Sequence, residues 1–293
     1  MNAFSKYHPA ALMVYFVSVL LIAMFAGNPI LELCALFGGL LFCMTLTSRK
    51  EKRSDAGFYL LLFLLITATN PLFSHNGETP LFFLNGNAVT QEAFVYGAAT
   101  AVMMIAVMLW CKAYSYVMTG DKFIFLFGRA IPQLSLILTV ALRYIPMLKR
   151  QSEKITRAQK AMGLYASESY FDRLRSSLCV FSALIGWSLE NAVETGHSMQ
   201  ARGYGLRGRT HYSDYRFGSA DGILLGVSVG LLLLTGYGIA AGYTDFTCYP
   251  RVQLAALTPA ACAVYIGFLC LSLLPFMIEV EENIRWIYYR SKI

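Results

Sequence analysis

The chain has 293 residues, 57% of them apolar and only 14% charged, against roughly a quarter charged in an ordinary soluble domain. Its 24 Lys and Arg outnumber 17 Asp and Glu to give a formal charge of +7, but long uncharged apolar runs separate the charge clusters, which argues against nucleic acid and for an integral membrane protein. Seven cysteines stand singly, with no C-x-x-C pair and in odd number, so neither a disulfide framework nor a zinc site is expected.

A helix needs about 20 apolar residues to cross ~30 Å of hydrocarbon. Six segments meet or approach that length: Pro9 to Ala26, Ile30 to Thr47, Gly57 to Phe73, Ala93 to Lys112, Gly222 to Tyr243 and Leu254 to Ile278. Gly27-Asn28-Pro29 joins the first two, and the proline with its restricted predecessor breaks the helix there, so a tight helical hairpin is predicted. No small-residue cleavage site separates the two runs, which speaks against a removable signal peptide.

Basic residues set the expected orientation, because short cytoplasmic loops are enriched in Lys and Arg. With both termini inside, Lys6, the run Arg49-Lys50-Glu51-Lys52-Arg53, everything from Lys112 to Arg216, and Arg285, Arg290 and Lys292 are cytoplasmic. That places 23 of the 24 basic residues inside and leaves Arg251 as the sole outer one. The outer loop Ser74 to Asn87 carries Gly77, Pro80 and Gly86 around Leu81-Phe82-Phe83-Leu84 and reads as a turn resting on the interface. Glu32 lies within the second span. A carboxylate there is a site hypothesis by default, with a side chain snorkelling to the nearby outer surface as the plainer alternative.

Between Ala113 and Ala220 lie 14 of the 24 basic residues, together with a strong helical apolar pattern. Ala141, Ile145, Leu148, Ser152, Ile155 and Met162 recur mostly at spacings of three, four and seven, with Lys149, Arg150, Glu153, Lys154, Arg157 and Lys160 on other faces. This predicts a long amphipathic helix from near Pro132. A second runs from about Phe171 to Gln200 with Leu174, Leu178, Phe181, Ile185, Ser188 and Ala192 on one face, and its middle, Leu178 to Trp187, is apolar nearly all round. Periodicity alone allows two readings: interfacial helices that only anchor the chain to anionic lipid, or a cytoplasmic platform with one surface for a membrane partner and helix ends for a soluble one. The fold class is therefore an all-α integral membrane protein of about six transmembrane helices with a cytoplasmic domain of two long amphipathic helices. The expected division is residues 1–112, 113–220 and 221–293.

The first long helix ends at Ala161-Met162-Gly163 and the second at Ala201-Arg202-Gly203. Glycine suits the left-handed position that stops a helix, and alanine lets another surface come close. An arginine held there offers a rigid fork of donors to carboxylates on a partner. Three stretches in this order, Leu142-Arg143-Tyr144-Ile145-Pro146, Ala158-Gln159-Lys160-Ala161-Met162-Gly163, and Met199-Gln200-Ala201-Arg202-Gly203-Tyr204-Gly205 with Arg209-Thr210, resemble the transmembrane T subunit (EcfT/CbiQ type) of energy-coupling-factor transporters.

The resemblance implies a subunit of an ABC-class importer of a vitamin or transition-metal ion in a prokaryotic inner or plasma membrane. In that family the T subunit joins two cytoplasmic ATPase subunits (EcfA/CbiO-like) to a membrane-embedded substrate-binding S component, and two Ala-Arg-Gly motifs dock on the ATPases. The second motif carries over to Ala201, Arg202 and Gly203. The first carries over as Ala161 and Gly163 only, since Met162 stands where the family has Arg. Arg157 or Lys160, about a turn away or less, then serves as auxiliary docking residue, or apolar contact holds that site. Leu148, Ile155, Leu178, Phe181 and Ile185 are expected to form either the contact between the two helices or the groove for the S component.

The chain has no G-x-x-x-x-G-K-[ST] phosphate loop, so ATP chemistry belongs to a partner and the subunit is expected to be non-catalytic, without cofactor. His8, His75, His197 and His211 lack metal-ligand spacing and read as surface or helix-end residues. The rival reading, a solitary secondary transporter or permease, calls for ionisable residues and interrupted helices at the midplane, and the spans hold almost none beyond Glu32. A membrane-embedded enzyme calls for clustered His or carboxylates, which the spans also lack.

Overall fold

A computed structural model describes residues 3–74, 77–84, 87–128, 131–163, 170–206, 215–249, 251–254, 256 and 258–291. Their helices are α1 (Pro9–Phe25), α2 (Pro29–Leu46), α3 (Arg49–Phe73), α4 (Gln91–Val117), α5 (Gly120–Gly128), α6 (Pro132–Ala161), α7 (Tyr170–Ala201), α8 (Ser219–Ala240) and α9 (Pro259–Arg290). Two small antiparallel hairpins accompany them, β1 (Pro80–Leu84) with β2 (Asn87–Thr90) and β3 (Phe246–Thr247) with β4 (Gln253–Leu254). The chain forms two compact units, Met1–Lys122 with Tyr215–Ile293, and Phe123–Asp214. It is an all-α membrane protein.

Local sequence explains the helix starts. Proline occupies the first turn of α1, α2, α6 and α9, where its missing N–H would have had no partner anyway. At the break between α1 and α2, Gly27 adopts φ +55°. Asn28 Oδ1 accepts from Ile30 N at 2.8 Å while its Nδ2 donates to the Thr244 carbonyl at 2.9 Å and to Tyr265 Oη at 3.2 Å. One side chain thus starts α2 and ties it to the far end of α8 and to α9.

Six described helices are long and apolar enough to cross a membrane: α2, α3, α4, α7, α8 and α9. This set differs in one member from the sequence expectation, because α1 at 17 residues measures only about 25 Å whereas α7 qualifies. Boundaries also move. The basic run 49–53 belongs to the first turn of α3, with Ser48 N–H donating to Glu51 Oε2 at 3.1 Å, and α9 continues 12 residues past Ile278. The outer connection expected as a turn holds the β1–β2 hairpin, with residues 75–76 and 85–86 outside the described set.

In the first unit α2 packs between α4 and α9, α1 against α8, and α3 chiefly against α4. Small residues permit the closest crossings: Gly38 faces Ser272 of α9, Gly39 faces Trp110 of α4, and Gly267 faces Leu234 of α8. Phe4, Tyr15, Phe16, Phe42 and Trp110 form a buried aromatic centre at ring separations of 5.3 to 6.3 Å, and their polar atoms are matched. Tyr15 Oη donates to the Leu271 carbonyl and Trp110 Nε1 to the Ala35 carbonyl, both at 2.9 Å.

The helices of this unit alternate in direction. One end collects Asn28, the β1–β2 hairpin, Thr244 and the Arg251–Glu78 pair. The opposite end collects Lys6 with Glu282, Lys112 with Asp55, and Lys122 with Ser5.

Candidate functional site

The second unit is built on α6 and α7. On α6, Lys149, Arg150, Glu153, Lys154, Arg157 and Lys160 are exposed; of the six residues expected on its apolar face Leu148, Ser152 and Ile155 are half-buried, whereas Ala141, Ile145 and Met162 are exposed. On α7 the covered seam is Ser176, Val180, Leu184, Trp187 and Asn191, spaced at three and four. Leu178, Phe181 and Ile185 lie on another face and are 59%, 60% and 44% exposed. Of the five residues expected at a helix contact or groove, Leu148 and Ile155 are thus partly covered and the three on α7 are open. Sequence reasoning missed the covered seam because the middle of α7, Leu178 to Trp187, is apolar nearly all round, so periodicity there does not single out one face.

The two helix endings share a capping bond and a left-handed glycine. In α7, Gly203 N–H donates to the Gln200 carbonyl and Tyr204 N–H to the Met199 carbonyl, both at 2.9 Å, with Gly203 at φ +75°. That is a Schellman ending with Arg202 as the capping residue and Gly203 in the left-handed position after it. In α6, Gly163 N–H donates to the Lys160 carbonyl at 3.1 Å and Gly163 has φ +87°, which makes Met162 the equivalent residue. Met162 is 68% exposed, and Ala161, Ala201 and Arg202 are also exposed. The same ending occurs a third time, at Ala240-Ala241-Gly242 of α8. The cap is therefore a general way to stop a helix, and what distinguishes the two sites is the long exposed side chain each presents.

One bond fixes the relative direction of the pair. Tyr144 Oη and Thr195 Oγ1 lie 3.2 Å apart. From that point the C-terminus of α6 is about 25 Å away and the N-terminus of α7 about 37 Å away at 1.5 Å per residue. The eight residues between the helices reach at most about 30 Å. The helices must therefore run in broadly opposite directions. For antiparallel helices this separates Met162 from Arg202 by about 37 Å along the pair, too far for one surface groove to hold both. Tyr144 belongs to the Leu142–Pro146 stretch singled out in the sequence, and the bond gives that stretch a structural task. Arg209 and Thr210 lie outside the described residues, as do His75 and His211.

Other candidates resolve differently. Glu32 is 5% exposed in the first turn of α2, so it does not snorkel. Its Oε2 has no hydrogen-bond partner within the chain. His8 takes a helix-end role as the N-cap of α1, its Nδ1 accepting from Ala10 N at 3.2 Å. Among the described residues no three His, Cys, Asp or Glu side chains come together to hold a metal ion.

Comparison with known proteins places these observations. The family model CbiQ, described as cobalt transport protein, matches residues 3–212, a range that contains both helix endings and stops before α8. The energy-coupling factor transporter transmembrane protein EcfT of Listeria innocua is 35% identical over 108 residues, 36% of this chain and 40% of that protein. The protein of the same name from Bacillus selenitireducens is 37% identical over 97 residues, 32% and 36% of the two chains. That from Thermotoga maritima is 24% identical over 197 residues, 62% and 70%. The chain thus spans about two-fifths of the length of the first two relatives.

Proposed function

The chain belongs to the CbiQ family, a family of transporter membrane proteins, and on that premise we propose that it is the non-catalytic coupling subunit of an energy-coupling-factor importer. In this reading Ala201-Arg202-Gly203 and Ala161-Met162-Gly163 dock on two ABC ATPase subunits, and motion driven by ATP passes through α6 and α7 to a substrate-binding S component in the membrane. The cargo is a vitamin or transition-metal ion. The observation that carries the reading is the matched pair of capped helix ends, each presenting one long exposed side chain, some tens of ångströms apart. That arrangement suits two separate grooves and not one.

Charge supports the orientation. The helix ends of the first unit that carry Lys6, Lys112 and Lys122 hold nearly all of its basic residues, while Arg251 stands at the other end. In a prokaryotic plasma membrane this favours both termini and both docking ends on the cytoplasmic side. Arg157 and Lys160, exposed within one or two turns of Met162, supply positive charge at the docking end that lacks Arg.

The test is purification of the tagged chain from native membranes in mild detergent. Two nucleotide-binding subunits and a small membrane protein should accompany it in fixed ratio. A chain that purifies alone yet supports uptake would be a solitary permease.

A further inference from the structure

The segment Ala3–His8 lies across the inner ends of four helices, and each of its contacts is specific. Phe4 is fully buried and its N–H donates to Glu279 Oε1 of α9 at 3.1 Å. Ser5 gives its carbonyl and its hydroxyl, the latter at 2.9 Å, to the ammonium of Lys122. The same ammonium donates to the Val117 carbonyl at the end of α4 at 3.0 Å. Lys122 is only 5% exposed, so all of its donors are committed to this junction. His8 N–H donates to Asp221 Oδ1 at 2.7 Å, Asp221 Oδ2 accepts from Gly218 N at 2.8 Å, and the His8 ring meets the Phe217 ring edge-on at 5.3 Å.

These contacts fall at two special places in the chain. Lys122 is the last residue of the first unit before the chain enters the second, and Phe217, Gly218 and Asp221 follow directly where it returns at Tyr215. Six residues of the N-terminal segment thus hold both the departing and the returning strand. The bonds are made by a buried ammonium and by a carboxylate that bridges two backbone N–H groups. Charge-assisted bonds of this kind are shorter and stronger than neutral ones, and a half-satisfied buried ammonium would be costly.

We propose that Ala3–His8 is a clamp that fixes the base of both strands linking the two units, with Lys122 and Asp221 as its positioning residues, so that displacement of the coupling helices reaches the membrane helices instead of being absorbed at the junction. The proposal rests on the coupling reading above. A segment needed only for folding would contribute to yield and melting temperature. A clamp contributes to the transport obtained per ATP hydrolysed.

The test uses the complete complex from native membranes, reconstituted in vesicles with Mg-ATP, with cargo scored by elemental analysis for transition metals and by mass spectrometry for vitamins. Lys122→Met removes the ammonium and keeps most of the stem. It should retain the ATPases at wild-type yield, keep ATP hydrolysis within about twofold and lower uptake at least fivefold, while Lys122→Arg, which restores donors, recovers at least half of the loss. Asp221→Asn, which keeps the shape but replaces one of the two accepting oxygens with a donor, carries the same expectation should Lys122→Met fail to insert. Uptake per assembled complex equal to wild type in Lys122→Met or Asp221→Asn overturns the clamp and leaves the coupling reading standing. A wild-type preparation without ATPases overturns both.

Discussion

Met162 and Arg202 occupy the same position in two like helix endings: the N–H of each donates at 3.1 Å to the carbonyl four residues before it, Ala158 and Ser198, and a left-handed glycine follows each. The capping bond and the left-handed glycine are therefore common to the two sites while side-chain chemistry differs. An arginine presents a planar fork for carboxylates, and a methionine presents a flexible apolar chain suited to a hydrophobic pocket.

Arg202→Ala is expected to loosen one ATPase. Truncating an arginine whose carboxylate partner is buried in an interface costs roughly 2 to 5 kcal/mol, so retention in detergent should fall at least tenfold while membrane insertion is unchanged. The difference from wild type should shrink at high salt, where the ion pair kept by the wild type is itself screened. Pull-down of the ATPases at two salt concentrations measures it.

Met162→Ala should cost less than Arg202→Ala, with a weaker salt dependence, since no ion pair is removed. Met162→Arg tests what the facing surface offers. A retained carboxylate there keeps or tightens binding, and an apolar pocket meets an unpaired charge and weakens binding by several kcal/mol. Equal losses and equal salt dependence for the two alanine variants would show the sites to be alike.

Gly203→Ala should disturb docking through the backbone. A side chain in the left-handed region costs about 1 to 2 kcal/mol, and the new Cβ would also lie 2.9 Å from Leu206 Cδ1. Gly242→Ala is the control, because it carries the same conformational cost at φ +76° in the α8 ending. Both should lower the melting temperature by similar amounts, but only Gly203→Ala should reduce ATPase retention.

Phe181→Asp and Ile185→Asp should leave the α6–α7 pair and its ATPase contacts intact, because both side chains are open on α7. Copurification of the small membrane partner is the measurement, and its loss with ATPases retained is the expected result. Loss of every partner together would instead assign the residues to internal packing.

Gly38→Ala should destabilise the membrane unit without touching the docking ends. The added Cβ would stand 2.6 Å from Ser272 Cβ and 2.7 Å from the Ser272 carbonyl oxygen, and backbone cannot rotate away. Overpacking of this kind costs about 1 to 3 kcal/mol, which a thermal shift in detergent reads directly.

What the sequence determined by itself was whatever depends on composition and local periodicity. Apolar length identified the spans around Ile30 to Thr47, Ala93 to Lys112 and Gly222 to Tyr243, because desolvating about 20 residues is a property of the residues themselves. Proline and glycine marked the break at residues 27–29 and the endings at Gly163 and Gly203, because backbone restriction acts within a few bonds. The Leu142–Pro146 and Ala-x-Gly stretches were legible as a family resemblance for the same local reason.

Tertiary structure alone decided which faces are covered. The bulk of Leu178, Phe181 and Ile185 suggests a packed face, yet Ser176 and Val180 are the covered ones, since close approach of helices depends on shape as well as on apolar area. It also decided that Glu32 is buried, and that Lys122, Ser5, His8 and Asp221, spread from one end of the chain to residue 221, meet at one junction. Such meetings depend on how distant segments pack, and neither composition nor periodicity over a few turns encodes which of the many apolar and charged residues will face each other.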